Sequence, residues 1–419
     1  MKSVSFAMVF AASCAALAAT ARADELADLK AEAEALSATI AQMAIKKDVV
    51  PAGYRLLTIG KADAIVVPGV DTDSAALANA TTVAIRPTAD LPASAKLQWN
   101  GMVRAGLVNR DTDVSSSVAG VTAPNSSKDI FARGELKLVA STDTAVGEVG
   151  SYYKLLGDFD GIDTADVIMS EAWGWWKLTD VITLGGGYNG SLGKIGHGGD
   201  SIMAIYSGGV DTAAGFSDSS QLRLSYADGP ISAAVALEHG DETIGGITEN
   251  ELGVAAELRF TAPKYAAELA GFVHDDNWQV GIGATRTLFD VASLSAAAAI
   301  GYNGDGWWLA GATPMTNANA AGNADYWLVS LSARTYLSEV LSADIGYSHK
   351  VMDGENVAGT ARLEQVADKF AAGLYFTPVM QFTAGVEGSY HMLDVTDVTN
   401  AETLKSNQLT ADFVTVFRF

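Results

Sequence analysis

Basic side chains at alternating positions are the residues of this chain best suited to electrostatic work on a solute. Lys96 shares such a row with Gln98, and Arg133 shares one with Glu135. Rows of this kind arise where a strand has one polar and one apolar face. The bases on polar rows are Lys96, Arg104, Arg133, Lys137, Lys154, Arg223, Arg259 and Arg334. Either they form a cationic wall that orients dipolar solutes and biases ions, or they simply keep a polar surface wet.

Covalent chemistry finds no support in the sequence. The histidines are scattered and form no paired metal-binding spacing or nucleophile elbow; they are His197, His239, His274, His349 and His391. The glycine runs at 185–187 and 198–199 are not followed by the Gly-Lys-Ser/Thr of a phosphate loop. We therefore expect no catalytic site, no metal and no cofactor.

The first residues match a secretory signal peptide over 1–23. Lys2 gives a positive start, an apolar run follows, and Ala21-Arg22-Ala23 is an A-x-A cleavage site. Cys14, the only cysteine, lies inside this segment, so the processed chain would have no disulfide. Cleavage also removes two bases and no acid, which makes the net charge of −22 two units more negative. Such acidity argues against a nucleic-acid partner.

Composition leaves two classes of secreted β protein. Hydrophobic residues make up 49% of the chain, yet no stretch after the signal contains eighteen consecutive apolar residues, so spanning helices are excluded. The chain contains 42 Gly and only 9 Pro. An outer-membrane barrel has this composition, and a soluble all-β protein shares much of it.

Two segments precede the strand-rich part. Apolar residues in 24–47 follow a heptad seam (Leu26, Leu29, Ala33, Leu36, Ile40, Met43), which predicts a short periplasmic coiled coil. The alternative is a single amphipathic helix packed at a barrel mouth. Residues 48–95 contain short β-like pieces, including Leu56–Ile59 and Thr82–Ile85, and are either a connector or an extra element at the mouth.

From residue 96 onward, alternation predicts sixteen strands. They are 96–108, 129–141, 146–157, 166–178, 181–188, 221–227, 231–238, 250–260, 265–274, 277–288, 291–302, 325–336, 340–349, 364–376, 380–391 and 407–419. Every second link is a tight turn such as Asp228-Gly229-Pro230, whereas the intervening links are mostly longer, for example 109–128, 303–324 and 392–406. Sorted links are typical of transmembrane barrels and not of soluble sandwiches.

The last strand, 407–419, indicates how the sheet ends. Its apolar row contains Leu409, Phe413, Phe417 and Phe419, and we expect this row to face lipid. A long aromatic strand needs a partner on each edge. We predict that it pairs with 380–391 and, to close a barrel, with 96–108; Leu56–Ile59 is the alternative first strand.

Short motifs resemble the alphaproteobacterial general porins of Gram-negative outer membranes. They are GYRLLTIG at 53–60, GELKLVASTDTAVGEVGSYYKL at 134–155, and the alternating Phe413, Phe417 and Phe419. The resemblance implies an all-β transmembrane barrel over 96–419 that passes ions and small hydrophilic solutes by passive diffusion. It also implies a homotrimer in contact with lipid and lipopolysaccharide, and recognition of Phe417 and Phe419 by the outer-membrane assembly machinery.

In the porins that the chain resembles, the third long loop folds into the barrel and narrows it. The third long link here is 189–220, which is rich in glycine and carries Asp200, Asp211, Asp218 and Lys194. By resemblance these residues form a constriction facing the wall bases. Two alternatives stay open: a structural or surface-binding barrel anchored by its helix, and a substrate-selective channel with an aromatic track that includes Trp173 and Trp175.

Overall fold

All regular structure in the described part of the chain is β-strand. The computed structural model describes residues 57–61, 67–68, 81–85, 95–117, 125–160, 166–195, 219–244, 247–274, 277–289, 291–302, 321–356, 362–399 and 401–419. The predicted signal peptide (1–23) and helix (24–47) lie outside these residues, as does most of the connector.

Eighteen strands form one sheet. They are β1 (Leu57–Lys61), β2 (Thr81–Ile85), β3 (Ala95–Ser116), β4 (Asn125–Thr144), β5 (Gly147–Asp160), β6 (Asp166–Lys177), β7 (Ile182–Asn189), β8 (Ser219–Asp228), β9 (Ile231–Ile244), β10 (Ile247–Ala262), β11 (Tyr265–His274), β12 (Asn277–Leu288), β13 (Ala292–Tyr302), β14 (Ala321–Tyr336), β15 (Leu341–Asn356), β16 (Arg362–Val379), β17 (Phe382–Asp397) and β18 (Glu402–Arg418).

Sixteen of these strands, β3 to β18, close into an antiparallel barrel. Each pairs with the next along the chain, and β18 pairs with β3 from Met102↔Arg418 to Ser116↔Leu404. Each predicted strand from 96–108 to 407–419 coincides with one of them. The predicted closure of 407–419 between 380–391 and 96–108 is confirmed.

The upper parts of several strands were wrongly predicted to be links. Of the predicted link 392–406, only 398–401 lie outside β17 and β18, and β3 continues to Ser116. The polar side chains of these segments favoured the prediction of loops, but in the structure they interact with side chains of the neighbouring strand. Gln408 Nε2 donates to Thr112 Oγ1 at 3.2 Å, and Lys405 Nζ lies 2.8 Å from Asp394 Oδ2. These polar residues therefore lie in the end parts of strands and still pair with their neighbours in the sheet.

The links are sorted less completely than expected. At the rim where β4 turns into β5, links have two to four residues, and Gly229 adopts a φ of +56° in one of them. At the other rim, 190–218 and 303–320 are long, whereas β9–β10 and β11–β12 are joined by only two residues each.

The apolar rows face outward and the polar rows inward. Leu252 and Ile282 are 72% and 58% exposed, whereas Gln279 and Gln365 are fully buried. The apolar row of β18 follows the same rule, with Leu409 and Phe417 exposed. A soluble fold would bury the apolar row; the observed polarity suits a lipid exterior.

The strands β1 and β2 lie beside the barrel seam. β1 pairs with β2, and β2 pairs with Ala95–Trp99 on the edge of β3 that β18 occupies from Met102 onward. Gln98 Nε2 donates to Thr82 Oγ1 at 2.8 Å. Leu56–Ile59 is therefore not the first barrel strand, since β1 does not pair with β18.

Phe419 extends the pairing of β18 with β3 toward the part of β3 that pairs with β2. Its backbone N and O each form a 3.0 Å hydrogen bond with Gly101, and its ring covers that glycine so closely that an added Cβ would lie 2.1 Å from it. A side chain at position 101 would therefore force the Phe419 ring to move.

We predict that Gly101→Val weakens barrel closure, because the new side chain displaces the Phe419 ring. Overpacking of this kind costs about 1–3 kcal/mol. We expect a lower unfolding temperature in detergent. It is measured on SDS gels as the temperature at which the folded band is replaced by the more slowly migrating unfolded band. Gly134→Ala is the matched control, since a Cβ there meets nothing within 4 Å. An equal fall in both variants would contradict the assignment.

Candidate functional site

The eight bases selected by alternation all lie on inward-facing rows of the barrel. Residues directly opposite on paired strands share a face. Arg104 is opposite Arg133, and Lys137 is opposite Lys154. Lys137 and Arg223 are largely buried within this inner face, at 8% and 4% exposure.

Four of these eight bases form ion pairs with acids of the same wall. Nζ–Oε distances are 3.1 Å for Lys137–Glu135 and 2.7 Å for Lys154–Glu171. The remaining wall pairs are Arg259 with Glu257 at 2.6 Å, Arg259 with Glu268 at 3.1 Å, and Arg334 with Asp344 at 2.9 Å. The alternation that selected the bases applies equally to these acids, because it identifies the face of the strand and not the sign of the charge.

One strip of the wall concentrates positive charge. Arg104 and Arg133 are cross-strand neighbours, and Arg418 of β18 lies near enough to Arg104 to interact with it electrostatically. Glu135 and Glu387 are the acids within the same range. Arg418 also donates from Nη1 to Thr383 Oγ1 at 2.9 Å. The predicted adjacency of Arg104 and Arg133 is thus confirmed, and Arg418 extends it.

The first residues of the link after β7 lie inside the barrel. Leu192 and Ile195 are each 3% exposed. The backbone N–H of Leu192 donates to Glu238 Oε1 at 2.9 Å, and Gln279 Nε2 of β12 donates to the Gly193 carbonyl at 2.9 Å. Chain leaving β7 therefore reaches the inner face of β12. Lys194 is exposed, and Asp200, Asp211 and Asp218 lie outside the described residues.

Arginine holds the start of this link. Arg223 Nη2 donates to the Gly190 carbonyl at 2.9 Å, and Gln221 Nε2 donates to the Asn189 carbonyl at 2.9 Å. These side chains belong to β8, the strand that the link rejoins. Hydrogen bonds from a charged donor are stronger than neutral ones, so the direction in which the link leaves β7 is well determined.

Several aromatic rings of the inner wall lie directly against a glycine of the wall. A Cβ on Gly185 would lie 2.2 Å from the Trp173 ring, and one on Gly150 would lie 2.0 Å from Trp175. The buried inner aromatics are Phe131, Tyr152, Trp173, Trp175, Phe272, Tyr326 and Tyr375. The predicted inward orientation of both tryptophans is confirmed. The other inner rings were not predicted. A single aromatic residue among polar ones does not indicate an inward position unless the glycine that it contacts in the fold is known.

Two inward carboxylates face each other where β17 pairs with β18. Glu387 and Asp412 are directly opposite and 5% and 4% exposed. Tyr375 donates to Glu387 Oε1 at 3.0 Å, whereas neither oxygen of Asp412 has a hydrogen-bond partner among the residues that the structure describes. Like charges opposite each other destabilise a sheet.

Comparison with known proteins reaches only solved structures: no protein-family model matches the chain, and no curated protein matches it. The outer-membrane channel DcaP of Acinetobacter baumannii is 17% identical with a TM-score of 0.54, covering 78% of this chain and 97% of that one. Outer-membrane expressed OmpT of Vibrio cholerae is 10% identical with a TM-score of 0.50, covering 78% and 98%. The chain folds as a porin-like barrel.

A mutant of the Rhodopseudomonas blastica porin also matches, at 16% identity and a TM-score of 0.45, covering 77% of this chain and 100% of that one. At such identities the likeness concerns the barrel fold. Among the described residues, no helix is long and apolar enough to cross a membrane. Within the same residues, no group of three or more His, Cys, Asp and Glu side chains is placed to hold a metal ion.

We predict that Asp412→Asn stabilises the barrel, because it removes the repulsion with Glu387 while keeping the shape of the side chain. The gain should be about 1 kcal/mol, measured as a higher unfolding temperature in detergent. Asp394→Asn serves as control: its ion pair with Lys405 is exposed, and surface pairs contribute little. A lower unfolding temperature for Asp412→Asn would mean that its charge is stabilising.

Proposed function

We propose that this protein is a channel of the bacterial outer membrane through which ions and small hydrophilic solutes diffuse passively. The observation that carries the proposal is the closed sixteen-strand barrel with its apolar rows outside and its charged rows inside. A water-filled barrel of this kind selects by bore and charge and needs no covalent chemistry. We therefore assign no enzymatic activity and no cofactor.

The link 189–220 is proposed to set the width of the channel. Its support is the burial of Leu192 and Ile195 against inner-wall strands and the anchoring of Gly190 by Arg223. Lys194 and the acids Asp200, Asp211 and Asp218 would then face the basic strip of Arg104 and Arg133. Opposed charges across a narrow, poorly solvated passage create a field that orients dipolar solutes.

The inner aromatic rings favour a channel over a purely structural barrel. A structural barrel would be blocked by large side chains projecting into the lumen. Here Trp173, Trp175 and Tyr375 lie flat against glycines of neighbouring strands, so they occupy the wall and not the middle.

Partners follow from the outer face and the last strand. Exposed apolar side chains all around the barrel fit outer-membrane lipid and lipopolysaccharide, and part of this surface would be buried in a homotrimer. Phe417 and Phe419 on β18 are the proposed contacts for the outer-membrane assembly machinery. The helix predicted at 24–47 would extend into the periplasm.

The direct test is recording from planar bilayers that contain the purified protein. We expect stepwise conductance increases as barrels insert, because ions cross a water-filled lumen. Folding is checked on the same sample by its resistance to unfolding in SDS without heating. Folded, inserted protein that conducts no ions would refute the channel.

Charge selectivity should depend on the basic strip. Replacing both Arg104 and Arg133 by Gln removes two adjacent positive charges from the lumen, so we expect the reversal potential in a salt gradient to shift toward greater cation preference. Lys405→Gln is the matched control, since its side chain lies on the outer face and is paired with Asp394. Because the control removes one charge and the test variant two, a control shift of half the size or more would show that total charge, and not the strip, sets selectivity.

A further inference from the structure

Val67 and Pro68, between β1 and β2, lie against the inner wall of the barrel. Val67 is 2% exposed and belongs to a buried cluster with Val139, Tyr152, Trp173 and Trp175. These partners come from the inner rows of β4, β5 and β6, where Val139 is opposite Tyr152 and Tyr152 is opposite Trp173. The chain that precedes the first barrel strand therefore enters the lumen.

The contact is specific as well as apolar. Trp173 Nε1 donates to the Pro68 carbonyl at 2.9 Å. Proline has no backbone N–H, so this carbonyl is its only main-chain hydrogen-bonding group, and a buried indole N–H needs such an acceptor. Full burial of the Val67 side chain adds hydrophobic stabilisation to this contact. Together these contacts define where Val67 and Pro68 sit.

Trp173 also connects this contact to the link after β7. The Arg223 guanidinium carbon lies 5.0 Å from the centroid of the Trp173 ring, and the same guanidinium donates to the Gly190 carbonyl. The ring cannot move toward the wall, because Gly185 lies directly beneath it. Trp173 and Arg223 thus fix two inward chain segments relative to one another.

The two segments cover different sides of the lumen. Val67 and Pro68 contact β4 to β6, whereas Ile195 lies against Gly281 of β12 and belongs to a cluster with β13 and β14 residues. Leu192 packs with residues of β9 to β11, whereas Ile195 packs with residues of β12 to β14, which are seven to nine strands from β5 in a barrel of sixteen. Ile195 therefore lies about halfway around the barrel from Val67 and Pro68. Solute would pass between them.

We propose that Val67 and Pro68 form a second restriction of the channel, across the lumen from Ile195. This inference rests on the proposed channel function. It also assigns a role to the inner aromatics: Tyr152, Trp173 and Trp175 hold a segment of this chain, so they do not serve as a binding track for solute. The channel then discriminates small hydrophilic solutes by size at two facing segments.

A disulfide tests the position without reference to conduction. Cys14 is the only cysteine of the sequence and lies in the predicted signal peptide, so introduced thiols have no competitor after processing. In the double variant Val67→Cys/Val139→Cys, we expect a cross-link under mild oxidation, detected by altered migration of the unfolded chain on non-reducing gels. The control Val67→Cys/Val103→Cys places the second thiol on the outer face, where Val103 is 43% exposed, and should not cross-link. Absence of the first cross-link, or equal formation of both, overturns the proposal.

Conductance tests the restriction itself. In Val67→Gly/Pro68→Gly we expect a larger single-channel conductance and faster entry of larger neutral sugars into liposomes, with Val146→Gly in the β4–β5 turn as control. If the cross-link forms in Val67→Cys/Val139→Cys but conductance and sugar entry are unchanged in Val67→Gly/Pro68→Gly, the restriction is refuted and the channel is not. Wild-type protein that conducts nothing while the cross-link forms would instead refute the channel.

Discussion

The pairing of β18 with β3 is the interaction on which the rest of the structure depends. Backbone N–H and C=O groups in a lipid environment must be satisfied within the protein, so a sheet there can have no free edge. The ladder from Arg418 to Leu404 removes both edges at once, and Phe419 continues it through its two bonds to Gly101. Closure also gives the sheet an inner and an outer face, so that the polar and apolar rows of each strand face different environments. β2 fills the part of the β3 edge that β18 leaves uncovered.

Glycine and aromatic residues together determine how much of that inside is open. A ring on an inward row would project into the lumen if its neighbour carried a side chain. Glycine on the adjacent strand provides the space in which the ring lies flat, as with Trp173 over Gly185 and Tyr375 over Gly385. The same pairing holds Phe419 over Gly101 on the outer face. High glycine content in this chain therefore serves the width of the barrel as well as its turns.

Alternation predicted the barrel well because its period is set by backbone geometry and survives any change of side chain. It placed all sixteen strands, the closing pair and the inward orientation of bases such as Arg104 and Arg133. It failed where polarity was taken for a link, as at 392–406, because long strands carry polar residues beyond the apolar band. The positions of Val67 and Pro68 could not be predicted, since two residues with no periodic neighbours gain their meaning only from the Trp173 indole they contact.

Net charge and channel charge are separate properties in this molecule. The strongly acidic composition by itself favours cations, and four of the eight inner bases are paired with acids on the same wall, as in Lys154–Glu171 and Arg334–Asp344. Paired charges contribute little field at a distance, because opposite signs a few ångströms apart form a dipole. Where Arg104, Arg133 and Arg418 gather, three bases share the range of two acids, Glu135 and Glu387. If the barrel conducts as proposed, the local ratio of bases to acids along the lumen should therefore matter more for selectivity than the total charge of the chain.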